Sequence, residues 1–132
     1  MKNRIFTTIL IVFTVIALTS CDKEKSDAKK LIGTWVNTEE SWESTIAGAT
    51  QIPAGTITLT FEHNRVYVVD SRCDCLPEWH HYSLTRKDGD LFVNINNWRD
   101  NSKVSELSND KLVLSDDRSI IDAGYGYTFK KQ

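Results

Sequence analysis

Alternation of apolar and polar residues, with a period of two, runs through most of this chain and constrains its fold more than any other feature. Residues 56–61 read Thr-Ile-Thr-Leu-Thr-Phe, so every second side chain is apolar. Side chains of a β-strand point alternately to its two faces, and this pattern therefore predicts a strand that is buried on one face. After residue 20 there is no long segment with the 3.6-residue period of a helix, which predicts an all-β fold.

Eight segments carry this strand pattern, and turn residues separate them. The predicted strands are residues 34–40, 56–61, 65–69, 82–85, 91–95, 104–107, 111–114 and 125–129. Asp88-Gly89 between two of them is a strong β-hairpin signal. Short strands at close spacing predict an antiparallel eight-stranded up-and-down barrel, because closure leaves no sheet edge exposed. A sandwich of the same strands is the alternative.

Two other segments have predicted structures of their own. Residues 26–31 are expected to form a short N-terminal helical turn with Ser26 or Asp27 as its cap. Residues 41–55 form the longest connection near the start of the predicted domain and are a candidate lid over the mouth of the barrel.

The start of the first predicted strand carries the motif Gly33-Thr34-Trp35. A Gly-x-Trp motif that follows a short helical turn and precedes eight strands resembles the entry motif of the lipocalins, and the chain from Leu31 to Lys131 is similar to the small lipocalin-like domains of bacterial lipoproteins. The resemblance implies that Trp35 packs at the closed end of the barrel. It also implies that the barrel holds a small apolar ligand at its open end.

The N-terminus has the features of an export signal. Lys2 and Arg4 precede an apolar run of residues 5–18, which is shorter than the roughly 20 residues that a membrane-spanning helix needs. Leu18-Thr19-Ser20-Cys21 resembles the lipobox of bacterial lipoproteins. The resemblance implies that residues 1–20 are removed, that Cys21 carries the lipid, and that the protein is anchored in the cell envelope, with the outer membrane the expected location.

Charge and length bound the remaining chain. Residues 21–30 are charged and contain no large apolar side chain, which predicts a flexible tether before the barrel domain of residues 31–132. Removal of residues 1–20 makes the chain more acidic than its formal net charge of −2, and no basic stripe is visible in the sequence. We therefore expect no nucleic-acid partner and no electrostatic attraction to anionic lipid.

Residues 73–81 contain the densest cluster of reactive side chains. Cys73, Cys75, His80 and His81 are residue types that bind zinc or copper(I), although the single residue between the cysteines is not typical of structural zinc sites. In an exported protein a Cys73–Cys75 disulfide and two free thiols are both open alternatives. Adjacent histidines on a strand point to opposite faces, so only one of them can join the cysteines in a metal site.

Three tryptophans fall in or beside predicted loops. Trp42, Trp79 and Trp98 are candidate ligand-binding residues at the mouth, and packing beneath long loops is the alternative. The sequence has no motif of nucleophilic catalysis, and the acidic groups at residues 39–43 and 116–117 are expected to be solvated.

The predicted function follows from these features. We expect a non-catalytic, lipid-anchored envelope protein without a cofactor, which binds a small apolar ligand at the barrel mouth. A protein–protein interaction module, such as an envelope inhibitor or an accessory subunit, is the alternative, and metal handling is a third hypothesis.

Overall fold

The structure is a computed structural model that describes residues 23, 25–116 and 124–132. The predicted signal peptide and the predicted lipidation site, Cys21, lie outside the described residues. One helix, α1, covers residues 25–31. The strands are β1 (Gly33–Asn37), β2 (Trp42–Thr45), β3 (Gly48–Gln51), β4 (Ile57–Phe61), β5 (Arg65–Asp70), β6 (Glu78–Lys87), β7 (Asp90–Ile95), β8 (Arg99–Leu107), β9 (Lys111–Asp116) and β10 (Gly124–Lys131).

Eight of the strands form a closed antiparallel barrel. The hydrogen-bonded order is β1, β4, β5, β6, β7, β8, β9 and β10, and β10 pairs in turn with β1. Trp35 lies opposite Leu59 on one side of β1 and opposite Lys131 on the other. Each strand thus neighbours the next barrel strand along the chain, which confirms the predicted up-and-down barrel and excludes the sandwich.

Strands β2 and β3 form a hairpin that extends the barrel beyond β1 and β4. The hairpin joins the barrel through β2, which pairs with β10. At the break between β1 and β2, the Ser41 hydroxyl donates to the carbonyl of Thr128 and accepts from its amide, at 3.1 and 3.0 Å. The candidate lid of residues 41–55 is therefore largely a hairpin. Its pattern was missed because β3 is exposed along its whole length and so shows no apolar alternation.

The barrel interior is filled with side chains. Inward-facing residues of almost every barrel strand form one buried cluster, which includes Trp35, Phe61, Ile95, Tyr127 and Phe129. The period-two pattern is clearest in β4, whose residues alternate between buried and half-buried. An eight-stranded barrel is just wide enough for such a filling, so free space is expected at its ends rather than in its middle.

Helix α1 crosses and closes one end of the barrel. Leu31 at its C-terminal end is fully buried, and its carbonyl accepts a hydrogen bond of 2.8 Å from the indole of Trp35. Towards its N-terminal end, Asp27 forms an ion pair with Arg86 of β6. The lipocalin resemblance implied this position for Trp35. The second half of the predicted tether is thus helical and ion-paired to the barrel.

No helix in the described part of the chain has the length and hydropathy needed to cross a membrane.

Candidate functional site at the open end of the barrel

The mouth is the end of the barrel opposite α1. There the described chain contributes the β2–β3 hairpin, the β5–β6 connection of residues 71–77 and the β7–β8 turn of residues 96–98. Asn97 in this turn has a φ of 61°, in the left-handed region that asparagine tolerates better than most residues. This turn places Trp98 directly before β8, against the buried cluster.

One carboxylate oxygen organises the mouth. Oε1 of Glu43 accepts from Nη1 of Arg72 at 2.6 Å, from Nη2 of Arg99 at 3.0 Å and from the hydroxyl of Tyr127. Arg99 also donates to the Tyr127 hydroxyl at 2.6 Å. These contacts connect β2, the β5–β6 connection, β8 and β10, which are far apart in sequence.

Aromatic rings form the floor of this charged cluster. Tyr125 and Tyr127 are stacked, with ring centroids 4.6 Å apart, and Trp98 lies 6.1 Å from Tyr127. The guanidinium of Arg99 lies 5.1 Å from the centroid of Tyr125 and 5.7 Å from that of Trp98. These distances permit cation–π attraction in addition to the ion pairs.

The ionisation states of the cluster are fixed by its contacts. Burial raises the pKa of Glu43, but hydrogen bonds from Tyr127 and Arg72 outweigh it and hold the pKa below its ordinary value. Burial likewise raises the pKa of Asp70, but hydrogen bonds from Arg72 and Trp98 outweigh it. The pKa of Asp70 is therefore below its ordinary value. Burial and the hydrogen bond to Glu43 raise the pKa of Tyr127 to about 12. At neutral pH the two carboxylates are therefore ionised and the phenol is neutral.

Arg72 connects the mouth to the disulfide. Its guanidinium donates to both oxygens of Asp70, at 2.8 and 2.6 Å, as well as to Glu43. The pKa of Arg72 is raised, and the hydrogen bond to Asp70 is the main cause. The next residue, Cys73, is bonded to Cys75, with their Cα atoms 5.1 Å apart, so the disulfide alternative is the one found in the structure.

Two clefts open on either side of Arg99. The larger, of about 690 Å³, extends towards Tyr125 and β2, and the smaller, of about 340 Å³, extends towards Arg72 and Cys73. Glu43, Trp98 and Arg99 line both. A third cleft, of about 700 Å³, lies on the outer wall where β1 stops pairing with β10, and it lacks a comparable cluster of aromatic and paired charged groups.

The structure does not bring the three predicted tryptophans together. Trp98 is at the mouth, whereas Trp42 lies over Gly126 on the outer wall, where a Cβ at Gly126 would come within 2.6 Å of its Nε1. Trp79 is also outside, with its ring 5.2 Å from that of Tyr67. Trp42 and Trp79 belong to strands that are not neighbours in the barrel.

The predicted metal ligands are likewise dispersed. The described residues contain no group of three or more His, Cys, Asp or Glu side chains that could hold a metal ion. His80 points inwards and its Nδ1 lies 2.7 Å from the carbonyl of Asn96, while His81 is exposed on the opposite face of β6. Since both cysteines are in the disulfide, the structure does not support the metal hypothesis.

The sequence does not predict four of the residues at the mouth, namely Glu43, Arg72, Arg99 and Tyr127. Glu43 was expected to be solvated with its acidic neighbours, but its position on β2 turns it into the mouth. The sequence offered one weak signal, because Trp42 and Glu43 place an aromatic and a charged side chain on opposite faces if this segment is a strand.

Comparisons with known proteins add little to this description. No protein-family model matches the chain. No curated protein matches it either. Among solved structures, a lipocalin-like protein from Bacteroides uniformis is similar over 78% of this chain and 99% of its own, with 15% identity and a TM-score of 0.49. A likeness of this size carries no inference about a ligand, and the closed barrel follows from the strand order and register themselves.

Proposed function

We propose that this protein is a lipid-anchored, non-catalytic binding protein of the bacterial cell envelope, and that it holds a small ligand at the mouth of its barrel. The observation that carries the proposal is the pair of clefts sharing Glu43, Trp98 and Arg99. Binding sites in small barrels commonly occupy the mouth, where free space meets convergent polar groups.

The chemistry of the mouth favours a ligand with both a flat apolar face and polar groups. Trp98 and Tyr125 offer ring faces, while Glu43 and Arg99 offer hydrogen-bonding groups to the same cleft. A purely apolar ligand would displace water from these charged groups. It would offer them no hydrogen bond in return, and this desolvation costs free energy. The filled interior also favours binding at the mouth over binding inside the barrel.

The ionisation of the mouth supports holding a ligand rather than transforming it. A general base works best when its pKa is close to the ambient pH. Burial raises the pKa values of Glu43 and Asp70, but hydrogen bonds lower them by more. Both pKa values are therefore shifted away from neutrality. Both carboxylates also accept hydrogen bonds from arginine, so they already have partners.

The envelope location rests on the lipobox resemblance at Leu18-Thr19-Ser20-Cys21. The Cys73–Cys75 disulfide is consistent with it, because disulfides persist in the oxidising compartments that exported proteins enter.

A protein partner is the second candidate function, and the outer wall gives one observation in its favour. Trp79 is 42% exposed and lies between Tyr67 and the guanidinium of Arg65, which is 4.1 Å from its ring centroid. Leu76, in the preceding connection, is 84% exposed. Exposed aromatic and aliphatic side chains beside an arginine are frequent in protein interfaces.

Native mass spectrometry of the purified protein tests the choice between these sites. We expect wild type to retain a small-molecule adduct, and Trp98→Ala to lose it because the loss of a ring contact lowers affinity about tenfold or more. Trp79→Ala is the matched control, since it removes the same side chain from the outer wall, and it should keep the adduct.

Circular dichroism of both variants checks that the barrel is intact. The absence of any adduct in wild type, or its loss from Trp79→Ala alone, would contradict binding at the mouth.

A further inference from the structure

The chain enters the barrel across its closed end. The C-terminal end of α1 packs beside β1 and β10, where the carbonyl of Lys30 accepts from Nζ of Lys131 at 3.1 Å. Its N-terminal end lies beside β6 and β7, where Asp27 pairs with Arg86. These strand pairs lie on opposite sides of the eight-stranded ring, so α1 spans the end of the barrel.

The length of chain between the predicted lipidation site and α1 is short. Three residues separate position 21 from Lys25, and an extended chain advances at most about 3.6 Å per residue, so four steps reach no farther than roughly 14 Å from the start of α1. The barrel is longer than this reach, because its longest strands, β6 and β8, have 10 and 9 residues and rise roughly 25 Å when tilted in a barrel. If Cys21 carries the lipid, as in the proposed function on which this step rests, the closed end is the end that the lipid holds.

The net charges of the two ends differ in sign among the described residues, and this observation does not depend on the lipid. Among the described residues, the closed end has more basic than acidic side chains. The basic ones are Lys25, Lys29, Lys30, Arg65, Arg86, Lys87, Lys111 and Lys131, and the acidic ones are Asp27, Glu62, Asp88, Asp90 and Asp110. At the mouth the balance is reversed, because Glu43, Asp70, Asp74, Glu78, Asp100 and Asp116 outnumber Arg72 and Arg99 among the described residues. Lys25 and Lys29 of α1 are exposed, and they make no ion pair with any described residue.

We infer that the closed end of the barrel faces the membrane, with the lysines of α1 against anionic phospholipid headgroups, and that the mouth faces away from the bilayer. Exposed lysines near an anionic surface are attracted to it, and the acidic mouth is repelled. This attraction differs from the expectation drawn from the net charge, because the lysines are concentrated at one end of the barrel. The anchor and the charges therefore favour the same orientation. The mouth then takes its ligand from the aqueous side rather than from the lipid phase.

Energy transfer from the lipidated protein to the membrane surface tests this orientation. The protein is reconstituted into vesicles of phosphatidylethanolamine and phosphatidylglycerol whose headgroups carry an acceptor dye. A donor dye is attached at Asn109→Cys, in the β8–β9 turn of the closed end, or at Ala47→Cys, at the tip of the β2–β3 hairpin. Both residues are exposed and uncharged. The disulfide and the lipid protect the native cysteines, so the introduced thiol is labelled selectively.

We expect transfer from Asn109→Cys to be at least about twofold stronger than from Ala47→Cys, because roughly 25 Å of barrel separates the two labels. Equal transfer, or stronger transfer from Ala47→Cys, in protein that floats with the vesicles overturns the orientation and leaves the anchor intact. Protein that does not float with the vesicles overturns the anchor and the orientation together.

The Lys25→Gln/Lys29→Gln variant isolates the charge contribution. On vesicles with phosphatidylglycerol the difference in transfer between the two labels should narrow, because the attraction of α1 to the surface is weakened. The same variant on vesicles of phosphatidylcholine alone is the control, and it should behave as wild type does there. An unchanged difference on the anionic vesicles would exclude the lysines from the contact.

Discussion

Gly126 shows how a single residue fixes the packing of the outer wall. It lies opposite Trp42 in the pairing of β10 with β2, and the indole covers the place where a side chain would stand. We expect Gly126→Ala to lower the free energy of unfolding by about 1–3 kcal/mol, because the added methyl group clashes with the ring. Urea denaturation measures this change.

A double-mutant cycle assigns the cause of the effect. In the background of Trp42→Ala the Gly126→Ala substitution should cost much less, since the clashing ring is gone. Gly124→Ala on the same strand is the control, because its nearest neighbouring atom would be 3.8 Å away. Equal costs of Gly126→Ala with and without Trp42 would show that the indole is not the obstacle.

At the scale of elements, α1 depends on one buried side chain. Leu31 is fully buried, whereas the next residue, Ile32, is 40% exposed. We expect Leu31→Ala to lower the free energy of unfolding by about 2–5 kcal/mol, because it leaves a cavity beneath the helix. Ile32→Ala, a deletion of similar size, should cost less than about 1 kcal/mol. Thermal or urea unfolding of the pair tests this, and similar losses would contradict the docking of α1.

The strands of the barrel could be predicted from the sequence, and their lengths could not. The alternation in residues 56–61 and 91–95 located β4 and β7 closely, because one face of each strand is buried. Strand β6 extends well beyond the predicted 82–85 because its first residues are exposed and carry no apolar alternation. The β2–β3 hairpin was missed for the same reason.

At the scale of the whole molecule, the cluster around Glu43 makes stability depend on pH. The folded-state pKa values of Glu43 and Asp70 are lowered: burial raises them, but the hydrogen bonds from Tyr127 and Arg72 prevail. Their stabilising contribution is therefore complete above the ordinary values of 4.5 and 3.8, and it is lost as the pH falls through the lower folded-state values. Burial and the bond to Glu43 raise the pKa of Tyr127 from 10.0 to about 12, so its contribution is complete below pH 10.0 and is lost as the pH rises towards 12.

Glu43→Gln tests the acid side of this dependence. Near neutral pH we expect the variant to be less stable by about 1–3 kcal/mol, because Arg72 and Arg99 lose a shared carboxylate. This difference should shrink as the pH falls below 4.5, where the carboxyl of the unfolded chain takes up a proton while the folded one is still ionised, and vanish below the lowered folded-state pKa. Urea denaturation across the pH range measures it, with Glu78→Gln as the control because that side chain is 67% exposed. A difference that persisted unchanged in acid would exclude the charge of Glu43 as its cause.

The sequence by itself determined the fold class, because period-two burial and turn residues are local properties that a strand carries wherever it lies. It also supplied Trp35 as the residue at the closed end, through the resemblance of Gly33-Thr34-Trp35 to the lipocalin motif. Only the tertiary structure decided the site and the separation of charge. Glu43 and Tyr127 are 84 residues apart, and they meet only because barrel closure brings β2 beside β10. The net charge of the chain likewise does not reveal that the closed end is basic in balance and the mouth acidic. The end at which a residue lies depends on the direction of its strand in the barrel.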